Sequence, residues 1–177
     1  MSLKTIDTTT NGHRRSWRVL LCAVALPALL LAGRAQASAD CNVTVGGVAF
    51  GAYDPLAATP DDSTGTVTVT CINTGPANTR VNYSVALSAG ASGAYSQRYM
   101  RAGTPRLNYN LYRDAARTIV WGNGTGGSSL ITGTLAVGPG QGNGTKSATY
   151  TVYGRAPALQ DAAPGTYADT IVVTLTF

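Results

Sequence analysis

Apolar and polar residues alternate in short runs along most of this chain. The last nine residues show it most clearly, since Ile171, Val173, Leu175 and Phe177 alternate with threonines and Val172. A period of two places alternate side chains on opposite faces of a β-strand, so one face of this strand contacts a core. No turn and no returning strand follow it. We therefore expect an earlier segment or another chain to cover its free edge, because an exposed apolar edge promotes aggregation.

Similar alternating runs predict seven or eight short strands in all, separated by turns that are rich in Gly, Pro, Asn and Ser. Residues 106–121 are interpreted as one hairpin and residues 130–153 as another. Residues 59–65 are polar and are interpreted as a loop. No segment combines a sustained helical period with caps. These features predict an all-β domain, a β-sandwich of the immunoglobulin type.

The first 37 residues have the organisation of an export signal. A basic segment that ends at Arg18 precedes the apolar run 19–31, and Ala35-Gln36-Ala37 resembles a signal-peptidase site. The run is shorter than the ~20 residues of a membrane span, so an uncleaved anchor is the weaker alternative. We predict a signal peptide over residues 1–37, one domain over residues 38–177 and no membrane span after cleavage.

Cleavage of this leader changes the charge balance. The chain has 13 basic and 8 acidic residues, and five basic and one acidic residue lie in the leader, which leaves a net charge of +1. That balance gives no indication of a nucleic-acid partner. Five arginines of the domain could contact an anionic surface, although solvated strand ends are the commoner explanation. They are Arg98, Arg101, Arg106, Arg113 and Arg117.

Cys41 and Cys71 are the cysteines that remain after cleavage. Both lie on the apolar face of an early predicted strand, and an exported domain matures in an oxidising compartment. We predict a disulfide between them, which closes a loop of about 30 residues and contributes roughly 3–4 kcal/mol to stability. Two buried free thiols are the alternative.

The sequence offers little for catalysis or for metal binding. The only histidine is His13, in the leader, and the chain has no glutamate. Asp61 and Asp62 form a carboxylate pair, but neighbouring side chains of an extended segment point apart, so a solvated turn is the expected role. No set of residues suits zinc. We expect neither an enzyme nor a cofactor or metal.

The segment Gly122-Asn123-Gly124-Thr125-Gly126-Gly127 matches the pattern GxGxxG. A nucleotide-binding motif of this kind follows a strand and opens a helix. Here strand-like sequence follows the glycines, so we interpret the segment as a hairpin loop.

The tyrosines have two interpretations. Tyr95, Tyr99 and Met100 lie between predicted strands and could form an exposed binding patch. Tyrosines on strands, such as Tyr83 and Tyr109, are better explained by core packing.

Several short motifs, in a fixed order along residues 41–177, indicate a known family. They are Phe50-Gly51-Ala52-Tyr53-Asp54-Pro55, Val69-Thr70-Cys71, Arg98-Tyr99-Met100, Leu107-Asn108-Tyr109-Asn110-Leu111-Tyr112, Trp121-Gly122-Asn123-Gly124, Val152-Tyr153-Gly154-Arg155 and Gly165-Thr166-Tyr167-Ala168-Asp169-Thr170. Together they resemble the spore coat protein U domain family, which includes subunits of archaic chaperone–usher pili.

The resemblance implies an immunoglobulin-like fold that lacks its last strand. The gap exposes a hydrophobic groove beside the final strand, lined here by Ile171, Val173, Leu175 and Phe177. A periplasmic chaperone fills that groove with a strand of its own, and a neighbouring subunit replaces the strand during assembly at an outer-membrane usher. The implied function is an exported subunit of a surface pilus that serves adhesion and biofilm formation.

Two other functions remain open. One is a self-contained secreted coat or matrix protein with a complete sandwich. The other is a carbohydrate-binding module, suggested by the tyrosines and by asparagines in predicted loops.

The segment before Cys41 suggests a place in the fibre. Only Ser38, Ala39 and Asp40 precede Cys41 after the predicted cleavage. A donor strand that spans several pockets needs about ten residues, so this chain could accept a strand but not donate one. We therefore expect a position at the fibre tip.

Overall fold

The computed structural model describes residues 2–5, 39–139 and 144–177. In these residues the chain forms nine strands and a single turn of 3-10 helix, Gly90–Ser92. The strands are β1 (Ser2–Thr5), β2 (Ala39–Gly46), β3 (Asp61–Asn73), β4 (Thr79–Leu87), β5 (Arg98–Arg101), β6 (Arg106–Tyr112), β7 (Ile131–Val137), β8 (Thr145–Ala156) and β9 (Thr170–Thr176).

The larger sheet is antiparallel, with the strand order β2-β3-β8-β6-β5. β3 shows why these segments form strands, since Val67, Val69 and Cys71 are fully buried while the threonines between them face outwards. On that outer face Thr68 hydrogen-bonds to Thr149 of β8 at 3.0 Å. The sheet therefore has one apolar face and one polar face, as an antiparallel sheet covered on a single side requires.

The smaller sheet has the order β1-β9-β4-β7. β4 is antiparallel to both β7 and β9, whereas β1 runs parallel to β9. The hydroxyl groups of Tyr83 on β4 and Tyr150 on β8 lie 2.7 Å apart and join the two sheets across the core. Gly133 of β7 leaves room for both hydroxyls, because a Cβ atom at that position would collide with them.

The inner faces of the two sheets enclose a hydrophobic core. Trp121 is fully buried in it, and its indole Nε1 donates a hydrogen bond of 3.1 Å to the carbonyl oxygen of Val85. Phe50 and Tyr109 pack edge to face, with ring centroids 5.9 Å apart. The aromatic residues thus fill the space between the sheets while their polar atoms keep partners.

This arrangement confirms the predicted immunoglobulin-like sandwich. An immunoglobulin domain pairs strands A, B, E and D in one sheet and strands C, F and G in the other. Here β2, β3, β8 and β6 take the places of A, B, E and D, and β4 and β9 take those of C and F. β1 lies where strand G would lie, but it is parallel to its neighbour instead of antiparallel.

The hairpin predicted over residues 106–121 forms with a short return, since Val120 pairs antiparallel with Tyr112. The N–H of Arg113 donates to the carbonyl oxygen of Ile119 at 3.1 Å, and the N–H of Trp121 donates to that of Leu111 at 2.9 Å.

Two other local predictions were wrong. Residues 130–153 do not form a hairpin, because β7 pairs with β4 while β8 pairs with β3 in the other sheet. β3 starts at Asp61, inside the segment that was expected to be a loop.

The predicted signal peptide and its cleavage site lie mostly outside the described residues, and Ser2–Thr5 is the part of the leader that the structure describes. In the described ranges there is no helix with the length and apolarity needed to cross a membrane.

Candidate partner-strand site

β9 contributes an unbroken apolar row to the core. Ile171 and Val173 are fully buried and Leu175 is 5% exposed, while the side chains between them are half-buried or exposed. Phe177, just beyond the strand, is half-buried and packs against the core. The four residues predicted to line a groove therefore share the inner side of one strand.

One edge of β9 is closed by β4. Leu175 lies opposite Val85 and Val173 opposite Leu87. Just past the end of β4, the backbone N–H of Ser88 donates to the carbonyl oxygen of Val172 at 2.9 Å, and the N–H of Val172 donates to the Ser88 hydroxyl at 2.9 Å. The backbone groups of Val172 thus point towards β4.

The other edge of β9 is covered by β1. The parallel register runs from Ser2 opposite Thr170 to Thr5 opposite Val173. Because successive residues of a strand direct their backbone groups to alternate edges, Ile171 and Val173 direct theirs towards β1. β1 also contacts β2, so this short strand lies between the edges of the two sheets.

β2 lies on the far side of β1 from β9. Its inner face carries Cys41, which is buried, and Val43 and Val45, which are only partly buried. Cys41 lies directly opposite Cys71 of β3, and a disulfide joins them with Cα atoms 4.1 Å apart. This confirms the predicted pairing, and the bond fixes β2 to β3.

β1 therefore occupies the space between the edge of β9 and β2. The chain also matches a known family. A model of the Spore Coat Protein U domain matches residues 27–174. The chain belongs to the spore coat protein U domain family. Protein U of Myxococcus xanthus is 34% identical to it, in a match that covers 94% of this chain and 99% of that protein. The family resemblance of the sequence motifs is therefore confirmed.

A solved structure is also similar to this spore coat protein U domain. It is the complex of a chaperone with a tip adhesion subunit, CsuC–CsuE, from the archaic chaperone–usher Csu pili of Acinetobacter baumannii, with 20% identity and a TM-score of 0.49. The match covers 79% of this chain and 40% of that chain.

Asp169 anchors the start of β9 in this domain and was not predicted as a site residue. Its carboxylate accepts hydrogen bonds from the Tyr109 hydroxyl at 2.6 Å and from the backbone N–H groups of Ala91 and Thr170 at 3.0 and 2.8 Å. Burial and the bond to Asp169 raise the pKa of Tyr109, so the phenol stays a donor. Asp169 thereby ties β9 to β6 and to the 3-10 turn.

Arg98 lies next to this anchor and is fully buried. Its Nε and Nη2 atoms donate to the carbonyl oxygen of Ser88 at 3.1 and 2.8 Å. Nη2 also donates to the carbonyl oxygen of Trp121 at 2.8 Å, and Nη1 donates to Asn110 Oδ1 at 2.6 Å. Burial lowers the pKa of Arg98. Its expected role at a solvated strand end was wrong.

The signal for a buried Arg98 was present in the sequence. Arg98 and Met100 are two positions apart on a strand and so share a face, and Met100 is only 3% exposed. The apolar Met100 marks that face as the inner one. Arg98 can lie on this inner face because its guanidinium has hydrogen-bond partners there.

The predicted exposed patch of Tyr95, Tyr99 and Met100 was wrong for Met100, which belongs to the core. Tyr95 is half-buried and its hydroxyl donates to the carbonyl oxygen of Leu87 at 3.1 Å. Tyr99 lies on the outer face of β5. The structure therefore does not bring the three side chains together on one surface.

The two carboxylates of Asp61 and Asp62 have different surroundings. Asp62 accepts hydrogen bonds from Arg155 at 2.7 and 2.8 Å and forms an ion pair with Arg117 at 3.2 Å. The hydrogen bond from Arg155 lowers the pKa of Asp62, whereas burial and the neighbouring Asp62 raise the pKa of Asp61. In the described part of the chain no cluster of His, Cys, Asp or Glu could hold a metal ion.

The glycine-rich segment 122–127 forms a loop, as predicted. Gly124, Gly126 and Gly127 have positive φ angles of 88°, 56° and 76°, and the Asn123 side chain accepts the backbone N–H of Thr125 at 3.0 Å. The next element is β7, a strand, so the helix that a nucleotide-binding motif requires does not follow.

Proposed function

We propose that this chain is an exported subunit of a chaperone–usher surface pilus, and that its groove between β9 and β2 accepts a strand from another chain. The observation that carries the proposal is the closure of the β9 edge. In the described residues this edge is closed only by Ser2–Thr5, a segment of the predicted signal peptide. Cleavage of the signal peptide would remove that strand.

Loss of β1 would leave β9 with an open edge. The backbone groups of Ile171 and Val173 would lose their partners, and the apolar space between β9 and β2 would open to water. Unpaired backbone groups and an apolar edge are both costly, and an edge of this kind is a template for an incoming strand. A strand from another chain would satisfy the backbone groups and insert alternate side chains into the groove.

The partners follow from the family resemblance and from this geometry. A periplasmic chaperone would supply the first strand, and a neighbouring subunit would replace it at an outer-membrane usher. The chain would then reside in the periplasm during export and on the cell surface afterwards. Adhesion and biofilm formation are the roles that we propose for the assembled fibre.

Co-expression tests the proposal. The full chain, with its signal peptide, is produced with and without a candidate periplasmic chaperone, and the periplasmic fraction is assayed by pull-down and yield. We expect a one-to-one complex with the chaperone and degradation or aggregation without it. Hydrogen exchange of the Ile171 and Val173 amides should slow when the chaperone is bound. A stable, monomeric periplasmic protein that ignores the chaperone would contradict the proposal.

A self-contained coat or matrix protein is the second candidate. It is favoured by the family description, Spore Coat Protein U domain, together with the match over 99% of Protein U at 34% identity. This function requires a sandwich that is complete after export. The same experiment separates the candidates, because a complete sandwich needs no chaperone to accumulate in the periplasm.

A further inference from the structure

A second surface lies on the outer face of the β5–β6 hairpin, in the sheet that does not contain β9. Tyr99 and Arg101 of β5 lie opposite Asn108 and Arg106 of β6. The residues between them, Met100 and Leu107, are each 3% exposed and point into the core. Alternation therefore places Tyr99, Arg101, Arg106 and Asn108 together on the outside, and we call these four residues the arginine–tyrosine face.

Two like charges are held close together on this face. The guanidinium carbons of Arg101 and Arg106 lie 4.8 and 4.5 Å from the centroid of the Tyr99 ring. Arg101 also donates a hydrogen bond of 3.0 Å to the Tyr99 hydroxyl, which itself donates to the carbonyl oxygen of Ala91 at 2.8 Å. Cation–π attraction holds both arginines against the ring, and the hydrogen bond to the hydroxyl also holds Arg101.

The two charges have no acidic partner in the described residues. There, the ion pairs of the domain join Asp62 to Arg117 and to Arg155, and neither Arg101 nor Arg106 takes part. Like charges directly opposite each other on a sheet are destabilising. The backbone of Asn108 forms hydrogen bonds with the Gln160 side chain, but the Asn108 side chain forms none within the described chain. The face thus combines two unneutralised cations with a free amide.

These groups suit a ligand with both carboxylates and hydroxyls. A guanidinium binds a carboxylate through charge-assisted hydrogen bonds, and an amide can bind a hydroxyl group. A neutral sugar would need an uncovered aromatic ring, but two guanidiniums cover the Tyr99 ring. A nucleic acid needs a long basic track. The unneutralised charge here is local, because the neighbouring Arg117 and Arg155 are paired with Asp62.

We propose that the arginine–tyrosine face binds an acidic polysaccharide, with Arg101 and Arg106 bound to its carboxylates and Asn108 to its hydroxyls. The face lies at the β5 edge of the larger sheet, whereas β2 lies at the opposite edge of that sheet and β9 lies in the other sheet, so the site is separate from the partner-strand groove.

The test compares two variants that each remove one positive charge. Arg106→Gln alters the face, whereas Arg80→Gln removes an exposed arginine of β4 in the other sheet. The full chain, purified with any protein that copurifies, is titrated with alginate, which is a polymer of uronic acids. Neutral dextran and a double-stranded DNA fragment serve as the comparison ligands, and thermal unfolding checks that each variant is folded.

We expect Arg106→Gln to weaken alginate binding about tenfold and Arg101→Gln/Arg106→Gln to abolish it, because each charged bond contributes strongly to affinity. Arg80→Gln should bind as the wild type does, and added salt should weaken binding. The proposal is wrong if the wild type does not bind alginate, if Arg80→Gln loses as much affinity as Arg106→Gln, or if dextran or DNA binds more tightly than alginate. A folded double variant that binds normally would also overturn it.

Discussion

At the scale of single residues, the disulfide is the feature whose loss has the clearest effect. Cys41 and Cys71 join the groove wall β2 to the interior strand β3. We expect Cys41→Ser to reduce the periplasmic yield sharply, because a disulfide that closes a loop of this length contributes about 3–4 kcal/mol. Yield and thermal unfolding of the purified protein are the measurements.

The double variant Cys41→Ala/Cys71→Ala is the control for this prediction. It removes the bond without leaving a single reactive thiol or a buried hydroxyl. A yield equal to that of Cys41→Ser would assign the loss to the bond itself. Mass spectrometry that finds two free thiols in the folded, exported protein would refute the pairing.

The stability of the fold should depend on pH through Asp62, and the direction of its pKa shift gives the sign of this dependence. Its pKa in the folded protein is lowered, first by the hydrogen bond from Arg155. It therefore stabilises the fold at a pH above its unfolded pKa, near 3.9, and this stabilisation is lost as the pH falls through the lower folded value. We expect Asp62→Asn to lower the free energy of unfolding by up to about 1 kcal/mol at neutral pH, which is typical for the loss of a surface ion pair. At a pH below both pKa values the substitution should leave that free energy unchanged.

Thermal unfolding of both proteins over a range of pH measures this effect. Asp161→Asn is the matched control, because Asp161 is exposed and its side chain forms no hydrogen bond or ion pair in the described residues. A loss for Asp62→Asn that is the same at neutral and at acid pH would rule out the electrostatic explanation.

At the scale of elements, the proposed binding of a partner strand depends on β9. Leu175 points into the core and Thr174 points out of it. Burial of a leucine contributes roughly 1.5–3 kcal/mol, so we expect Leu175→Asp to abolish capture by the chaperone, and deletion of Phe177 to do the same. Pull-down from the periplasm with a tagged chaperone measures capture.

Thr174→Asp introduces the same charge one residue earlier on the exposed face, and it should be captured nearly as well as the wild type. If Leu175→Asp and the Phe177 deletion are soluble, monomeric and independent of the chaperone, these residues do not line a partner groove.

The alternation of residues predicted the strands better than it predicted their partners. β3, β4 and β9 were recognised because each has one buried face. Residues 130–153 were misassigned because a glycine-rich connection can reverse the chain within a sheet or cross to the other sheet. Hydrophobic periodicity is the same in both cases, so it cannot choose between them.

The polar part of the site could be predicted less well. The apolar inner row of β9 was predicted from the alternation of residues, and the disulfide was predicted from the oxidising compartment of an exported protein. Asp169 was missed because two of the donors to its buried carboxylate, Tyr109 and Ala91, are distant from it in the sequence. The covering of β9 by β1 could not be foreseen, since nothing in four residues of a leader specifies a partner.

At the scale of the whole molecule, the prediction concerns the position in the fibre. The predicted cleavage after Ala37 leaves three residues before Cys41, fewer than the roughly ten that a donor strand needs. We therefore predict a tip subunit, which accepts a strand and donates none. Immunogold labelling should mark fibre ends, and N-terminal sequencing should find Ser38 as the first residue. Label along the shaft, or a start well upstream of Ser38, would contradict the prediction.

The alignment of β9 with its neighbours has a mechanical consequence. β4 runs antiparallel along β9 from Leu87 opposite Val173 to Ser84 opposite Thr176, and Asp169 fixes the beginning of β9 to β6. An inserted strand would be joined to the other edge of β9, and tension along it would act along β9 and perpendicular to the hydrogen bonds between the two strands. Bonds loaded in shear share the force and must break together, whereas bonds that are peeled apart break one at a time. A strand held in this groove would therefore resist pulling along the fibre far better than pulling across it.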